Sequence, residues 1–496
     1  MKILLTTLNS KYIHSNLAIR YLAAYCRDEF PGIEIREFTI NANLGQVTGE
    51  LYRVEAGVIG FSCYIWNIEA TLKIVEVLKK TAPNLVIILG GPEVSFEVEE
   101  LMNLNPGVDY VIAGEGEKPF RELLQNLRDN PGGLPDIPGV SYRRNGQVVT
   151  GDPAPLLSDL DLIPSPYAGS LEGLENKIIY YESSRGCPFN CQYCLSSTTR
   201  GLRFFSLDRV KEDLGRLLAA GVKQVKLVDR TFNCHRERCL AILNFIREHD
   251  NGRTNFHLEV AADLFDRETI ETLGRLRPGL VQLEIGVQST KPETLELIQR
   301  KMDFQKVREV IPALGAKGNV HLHLDLIAGL PGESYETFAR SFNDVYRLKP
   351  DRLQLGFLKL LKGSGLRKRA ADLGLVYGSS PPYEILGTPV LKYDDILNLK
   401  AIEEMVELYY NTHRFRQTVS LLEEVFPDPF RLYESLAAFW RANDRHLTGQ
   451  GKAELYRNLW EFAVSVVPGR IGRYKAALAG DYLAHGQNKK IPQWLA

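Results

Sequence analysis

Cys187-Pro188-Phe189-Asn190-Cys191-Gln192-Tyr193-Cys194 lies near the middle of the chain and places three thiols within eight residues. It follows the apolar run Ile178-Ile179-Tyr180-Tyr181, whose β-branched and aromatic side chains predict a strand. A strand feeding straight into this loop sets the thiols at one end of a sheet. Thiolates are soft ligands, suited to iron–sulfur clusters or zinc. A four-iron cluster takes four ligands, and this loop offers three, leaving one iron open to something else. A structural zinc site closes with two Cys or Cys/His pairs at their own spacing, and no second pair follows here. Cys234-His235 and Cys239 make only a weak pattern, read as buried or helix-start residues.

On either side of that loop the chain divides. Its 496 residues exceed one ordinary core, so two or three domains are expected. Hydrophobic residues at 44% and charged residues at 24% fit a globular protein. A formal net charge of -1 argues against a broad nucleic-acid footprint. The opening Met1–Thr7 reads as a strand rather than a signal peptide, and no run of about 18 apolar residues predicts a membrane span. Seven cysteines, an odd number with three clustered, fit a reducing compartment, so a cytoplasmic location is expected.

Residues 1–130 alternate short apolar strands with amphipathic helical stretches, which predicts a parallel doubly wound α/β sheet. Ligands on such sheets bind beyond the carboxyl ends of the strands. Those ends are Asn9–Ser15, Ser62–Asn67, Gly90–Ser95 and Gly114–Glu117. Residues 131–175 are rich in proline and read as a semi-rigid linker, with a β-hairpin turning at Asn145-Gly146. Across 176–365, six strand–helix repeats predict a partial, open (β/α)6 barrel with a lateral mouth. Residues 366–496 shift to amphipathic helices, a small helical domain expected to cap that mouth and contact substrate.

The C-x3-C-x2-C spacing, with Tyr193 before the last cysteine and Ser184-Arg185-Gly186 ahead of the first, resembles the radical S-adenosylmethionine (SAM) superfamily. The resemblance implies that Cys187, Cys191 and Cys194 hold a [4Fe-4S] cluster whose open iron is chelated by SAM. An electron from the cluster would cleave SAM to a 5′-deoxyadenosyl radical. Glu284-Ile285-Gly286-Val287-Gln288-Ser289 and Asp325 through Glu333 look like motifs of the coproporphyrinogen-oxidase and methylthiotransferase branches. By that likeness Glu259, Glu284, Gln288 and Asp325 surround SAM, and Tyr193 borders the cluster. Asp229 stands where relatives place Gly-Gly-Glu for the methionine amine. Arg185, beside the cluster loop, is expected either to tune the cluster or to form a structural ion pair.

The amino-terminal part resembles cobalamin-binding domains fused ahead of radical SAM cores. Ser62-Cys63-Tyr64 stands where the family has Ser-x-Leu, and Leu89-Gly90-Gly91-Pro92-Glu93 and Gly114-Glu115-Gly116-Glu117 follow. This implies cobalamin against Ser62, Cys63, Tyr64, Gly90, Gly91, Pro92, Glu93, Gly114, Glu115 and Gly116. The family's Asp-x-His-x-x-Gly is reduced to His14, expected to hydrogen-bond rather than ligate cobalt. Trp66 and Tyr64 are expected to pack near the corrin.

Together these resemblances imply radical methylation of an unactivated carbon in a small-molecule or peptide substrate, with a flavodoxin- or ferredoxin-type electron donor. Two alternatives stay open at this point: a radical rearrangement or cyclisation without methyl transfer, and a non-catalytic cobalamin-binding sensor.

Overall fold

The computed structural model describes residues 1–169, 171–199, 201–447, 449–467, 469, 471–485 and 491–495. Its amino-terminal sheet contains β1 (Ile3–Asn9), β2 (Ile33–Thr39), β3 (Val58–Ser62), β4 (Val86–Gly90), β5 (Tyr110–Ile112), β6 (Val140–Arg144) and β7 (Gln147–Val149). They lie in the order β2-β1-β3-β4-β5-β6-β7. The first five are parallel, and the reversal of order at β1 is the doubly wound switch point. Period-two alternation splits the strand residues between two cores. Leu4, Leu8, Ile59, Phe61, Ile87 and Leu89 face one helical layer, and Ile3, Leu5, Val58, Ile88 and Ile112 the other. Burying both faces requires this near-continuous apolar sequence.

The Asn145-Gly146 hairpin forms as its turn dipeptide predicts, with Asn145 and Gly146 both at positive φ. It is not confined to a linker. The β6 strand adds antiparallel to β5, so the hairpin extends the amino-terminal sheet at its edge.

The second sheet comprises β8 (Ile178–Tyr181), a two-residue ribbon of β9 (Ser184–Arg185) and β10 (Arg203–Phe204) beside it, and then β11 (Gln224–Leu227), β12 (Asn255–Val260), β13 (Val281–Gln288), β14 (His321–Ala328) and β15 (Arg352–Phe357). Apart from the ribbon, its six strands are parallel and run in sequence order from β8 to β15. This is the open (β/α)6 barrel, with β8 and β15 as its free edges. Along β13, Val281, Leu283, Ile285 and Val287 are buried, while Gln282, Glu284, Gly286 and Gln288 are only partly so. The barrel lumen is therefore polar. A register shift between Gly286 and Gln288, with Gln288 at φ 73°, re-aims the last side chain of that strand.

The carboxyl-terminal helices are Tyr393–Met405, Arg416–Glu423, Pro429–Ala442, Lys452–Val466 and Ile471–His485. They share one apolar core with the barrel, joined through Phe342, Phe430, Tyr346 and Tyr433 on the outside of helix Tyr335–Tyr346. The expected cap over the mouth is thus misplaced: these helices back the barrel wall. No described helix is long and apolar enough to cross a membrane.

The amino-terminal sheet covers the mouth instead, meeting both barrel edges. At β8, Ile178 N–H donates to Ile13 O at 2.6 Å and Ser15 Oγ to Ile178 O at 2.7 Å. Beyond β15, Tyr383 Oη donates to Glu93 at 2.5 Å, and Arg367 pairs with Glu97 at 3.3 Å.

Gly91 gives a test of this packing. At φ 112° its Cβ would sit 2.5 Å from Cys63 O. Gly91→Ala is expected to cost more than about 2 kcal/mol in denaturant unfolding. Gly32→Ala, with nothing within 4 Å, should stay within about 1 kcal/mol.

Candidate functional site

Two cavities adjoin at the barrel mouth, the larger between the barrel and the amino-terminal sheet and the smaller within the barrel. The larger, about 610 Å³, is bounded by the carboxyl-terminal rim of the doubly wound sheet on one side. Tyr180, Glu182, Ser184, Arg185 and Gly186 of the barrel bound it on the other. The smaller, about 210 Å³, holds Cys187, Cys191 and Cys194 on its wall. Ser196 and Arg230 border both, so the cavities meet at these two side chains.

Ser62, Tyr64, Gly90, Gly91, Pro92, Gly114, Glu115 and Gly116 all border the larger cavity. Tyr64 and Trp66 stack at 4.4 Å between ring centroids and line it together. Cys63 and Glu93 do not border it. Cys63 turns its thiol into the sheet core, 3.7 Å from Phe61 O, while its backbone N–H donates to Gly90 O at 2.7 Å. It holds the glycine loop without facing the cavity. Glu93 is buried by Tyr383 and by Lys362 at 3.5 Å, so its carboxylate closes the β15 seam.

His14 also borders this cavity and makes a short hydrogen bond through Nδ1 with the Tyr180 hydroxyl. Burial, followed by the charges of Lys11, Lys226 and Lys177, lowers its pKa and keeps the imidazole neutral.

In the smaller cavity the three thiols are joined by Tyr193, Glu259, Glu284, Gln288 and Asp325. Asp229 is absent from this wall. Its oxygens accept from Ser183 N at 2.8 Å, Ser183 Oγ at 2.7 Å and Ser184 Oγ at 2.5 Å, tying β11 to the segment before the cysteine loop. Three of its roughly four acceptor sites are filled by these serines, and the group is buried away from the cavity.

Among the described residues no group of three His, Cys, Asp or Glu is arranged to hold a single metal ion. A four-iron cube spreads its thiolates wider than one ion does, and the three cysteines border a common space. Gln288 Oε1 lacks a hydrogen-bond partner although buried, and is an acceptor held ready on the cavity wall, whereas Asp325 Oδ1 lies 3.1 Å from His323 Nε2.

Sequence reasoning missed the cations of the site. Arg300 Nη1 lies 3.6 Å from Cys191 Sγ and 3.2 Å from Tyr193 Oη, and Nη2 donates to Gly286 O. It is the cation at the cluster loop. Arg185 is occupied elsewhere, pairing with Glu182 at 2.8 Å, Glu117 at 2.5 Å and Glu115 at 3.4 Å. Lys226 of β11 and His257 of β12 meet Glu284 at 2.9 and 2.6 Å. Burial pushes the Glu284 carboxyl up, but the His257 hydrogen bond and Lys226 outweigh it and hold the group well below the usual carboxylate range. Burial raises Glu259 and Asp325, against the pull of Lys226 on the first and His323 on the second. Glu284 is therefore the fixed anion of the smaller cavity.

The fold and these two cavities define the class. A family model described as a B12 binding domain matches residues 3–124, and one described as the radical SAM superfamily matches residues 181–345. The chain thus carries both matches in tandem, the B12-binding one ahead of the radical SAM one. Residues 371–496 match a family described only as a protein of unknown function (DUF4080). The chain is 32% identical over 311 residues to the cobalamin-dependent radical SAM methyltransferase TokK of Streptomyces tokunonensis, covering 59% of this chain but 44% of the relative's length. It is 25% identical over 420 residues to the uncharacterized methyltransferase PH0819 of Pyrococcus horikoshii, covering 83% of this chain and 90% of that one. Among solved structures, the cobalamin-dependent SAM radical enzyme OxsB, described with aqua-cobalamin and SAM bound, superposes with a TM-score of 0.64 at 15% identity. That match covers 98% of this chain and 84% of OxsB, and it concerns the fold.

Two outcomes test the electrostatics. Arg185→Met strands buried carboxylates from two domains and is expected to cost about 3–5 kcal/mol, with loss of cooperativity between domain transitions in calorimetry. Glu333, with Ser289 and Ser341 as donors, is pushed up to about 7 by burial, from 4.5 when free. Since its folded value exceeds the unfolded one, its contribution is complete below about pH 4.5 and lost as pH rises through about 7. The full difference corresponds to about 3 kcal/mol. The wild type should therefore lose stability relative to Glu333→Gln between pH 5 and pH 8 in parallel denaturation curves (about 1.4 kcal/mol for each pH step near the transition).

Proposed function

We propose that the chain is a cobalamin-dependent radical SAM methyltransferase acting on an unactivated carbon of a small-molecule or peptide substrate. The observation that carries this is the junction at Ser196 and Arg230, the two residues shared by the walls of the thiol-lined cavity and the one lined by the glycine rim. Relatives named as methyltransferases include TokK, cobalamin-dependent by name, and PH0819, while another relative is named a cyclase.

The residues fit the groups. Cys187, Cys191 and Cys194 would hold the [4Fe-4S] cluster, with Tyr193 beside them. Gln288 offers an unpartnered acceptor to SAM, Asp325 a carboxyl on the same wall, and Glu284 a fixed negative charge to its sulfonium and ammonium. Glu259 borders the same space. Cobalamin would rest on Ser62, Gly90, Gly91, Gly114 and Gly116, where absent or small side chains let a flat macrocycle approach the backbone. These groups supply one-electron cleavage, hydrogen abstraction and a transferable methyl, and the protein supplies placement. Covering the mouth with a second domain excludes water from the radical chemistry. A flavodoxin- or ferredoxin-type protein would deliver the electron, and the seven free cysteines suit a reducing cytoplasm.

The test is anaerobic reconstitution with iron, sulfide and cobalamin, followed by assay with methyl-labelled SAM. Formation of 5′-deoxyadenosine with label in a carbon-methylated product is expected. Cleavage with an altered but unlabelled product would replace methylation by rearrangement. Cys191→Ala should abolish the cluster absorbance and lower cleavage below about one-thousandth of wild type.

A further inference from the structure

The arginines around the two cavities are not equivalent. Arg185 is held by three carboxylates, Arg203 pairs with Glu115, and Arg300 is bonded to Cys191, Tyr193 and Gly286. Arg230 is exposed, borders both cavities, and has no ion pair or side-chain hydrogen bond to any described residue. Its neighbour Asp229 is spent on Ser183 and Ser184, so it cannot neutralise the guanidinium. The position itself is fixed: Thr231 Oγ1 donates to the Arg230 carbonyl at 2.7 Å and lies 3.8 Å from Cys187 Sγ. The charge of Arg230 is felt by Tyr64 on one side and Glu259 on the other. Ser196, the other side chain common to both cavities, adds a hydroxyl at the same junction.

A planar five-donor cation left free at the meeting point of two cavities matches a carboxylate or phosphate, which it binds through paired hydrogen bonds. Resting on the proposed reading of the two cavities, we infer that Arg230 receives the anionic group of the molecule that reacts between them. The substrates are acids, carboxylates or phosphate esters, anchored with the reacting carbon at the junction. The same anion chemistry is present in the SAM carboxylate and the cobalamin phosphate, and the experiment separates these sources.

The protein reconstituted with cluster and cobalamin is treated with phenylglyoxal, and labelling of each arginine is followed by peptide mass spectrometry. Probes are SAM alone, inorganic phosphate, and the pair indole-3-acetate and indole-3-acetamide, alike in size and different in charge. Arg230 is expected to label readily in the cobalamin-loaded protein and with SAM bound, while Arg185 and Arg300 are spared. Indole-3-acetate or phosphate should slow Arg230 labelling about tenfold, and the amide should not. In Arg230→Gln, equilibrium dialysis should show the acid and the amide binding alike. Full protection by cobalamin loading or by SAM alone assigns Arg230 to a cofactor and overturns the inference. Equal protection by acid and amide, or none by either anion, does the same. Cleavage of SAM by the same preparation is measured in parallel. Cleavage without acid-specific protection sinks this inference alone, whereas no cleavage sinks the reading beneath it.

Discussion

One guanidinium sets how the two halves of this molecule face each other. Arg185 leaves the barrel directly ahead of the cysteine loop and pairs with Glu182 of its own domain and with Glu115 and Glu117 of the other. A buried charge is costly unless partners surround it, and a surplus of carboxylates is itself costly without further cations. Arg203 supplies one by pairing with Glu115. Such a cluster adds little net stability over an apolar seam, but it tolerates few alternative alignments. Sliding either domain by a few ångströms would leave charges unpaired in a low-dielectric interface. The placement of the two cavities therefore depends on this charge register more than on apolar area.

The same economy orders the smaller cavity. Four carboxylates line it, Glu259, Asp263, Glu284 and Asp325, and Glu284 is held firmly ionised because Lys226 and His257 converge on it from the two preceding strands. Glu259 and Asp325 lie where burial favours the neutral acid. With Arg230, Arg300 and Lys301 on the same wall, the pocket carries both signs of charge rather than being uniformly negative. That polarity suits a zwitterion bearing an extra positive charge.

Much of this was legible in the sequence because it is local. Strand–helix alternation gave both sheets, and Cys, Gly-Gly and Gly-Glu-Gly-Glu sat where strands end. What the sequence could not show is which acidic group faces inward. Asp229 follows β11 and Asp325 lies within β14, yet the first is held by two serines and the second opens on the cavity. Glu93 and Cys63 adjoin cavity residues in the chain, but their partners decide their direction. For Glu93 these are Tyr383 and Lys362, some 290 residues away in the first case. The cap was misassigned for the same reason. Amphipathic helices announce that they bury a face, and nothing in their periodicity names the surface they bury it against.

The two seams that close the barrel differ in kind. At β8 the amino-terminal loop pairs backbone to backbone, with Ile13 and Ile178 bonded like neighbours in a sheet and Arg185 buried beside them. Beyond β15 the contacts are between side chains, with Glu97 more than a third exposed to solvent. Backbone pairing fixes direction and register together, whereas exposed ion pairs are weak, screened and quick to exchange. The β8 side is thus joined through backbone, and the β15 side through the buried Tyr383–Glu93 pair with the more exposed Arg367–Glu97 pair outside it. The cysteine loop reaches the second seam as well, where Leu366 N–H donates to Gln192 O at 2.8 Å, and Glu93 ties the glycine loop to Tyr383 there, so the reacting centre is held from both edges of the barrel.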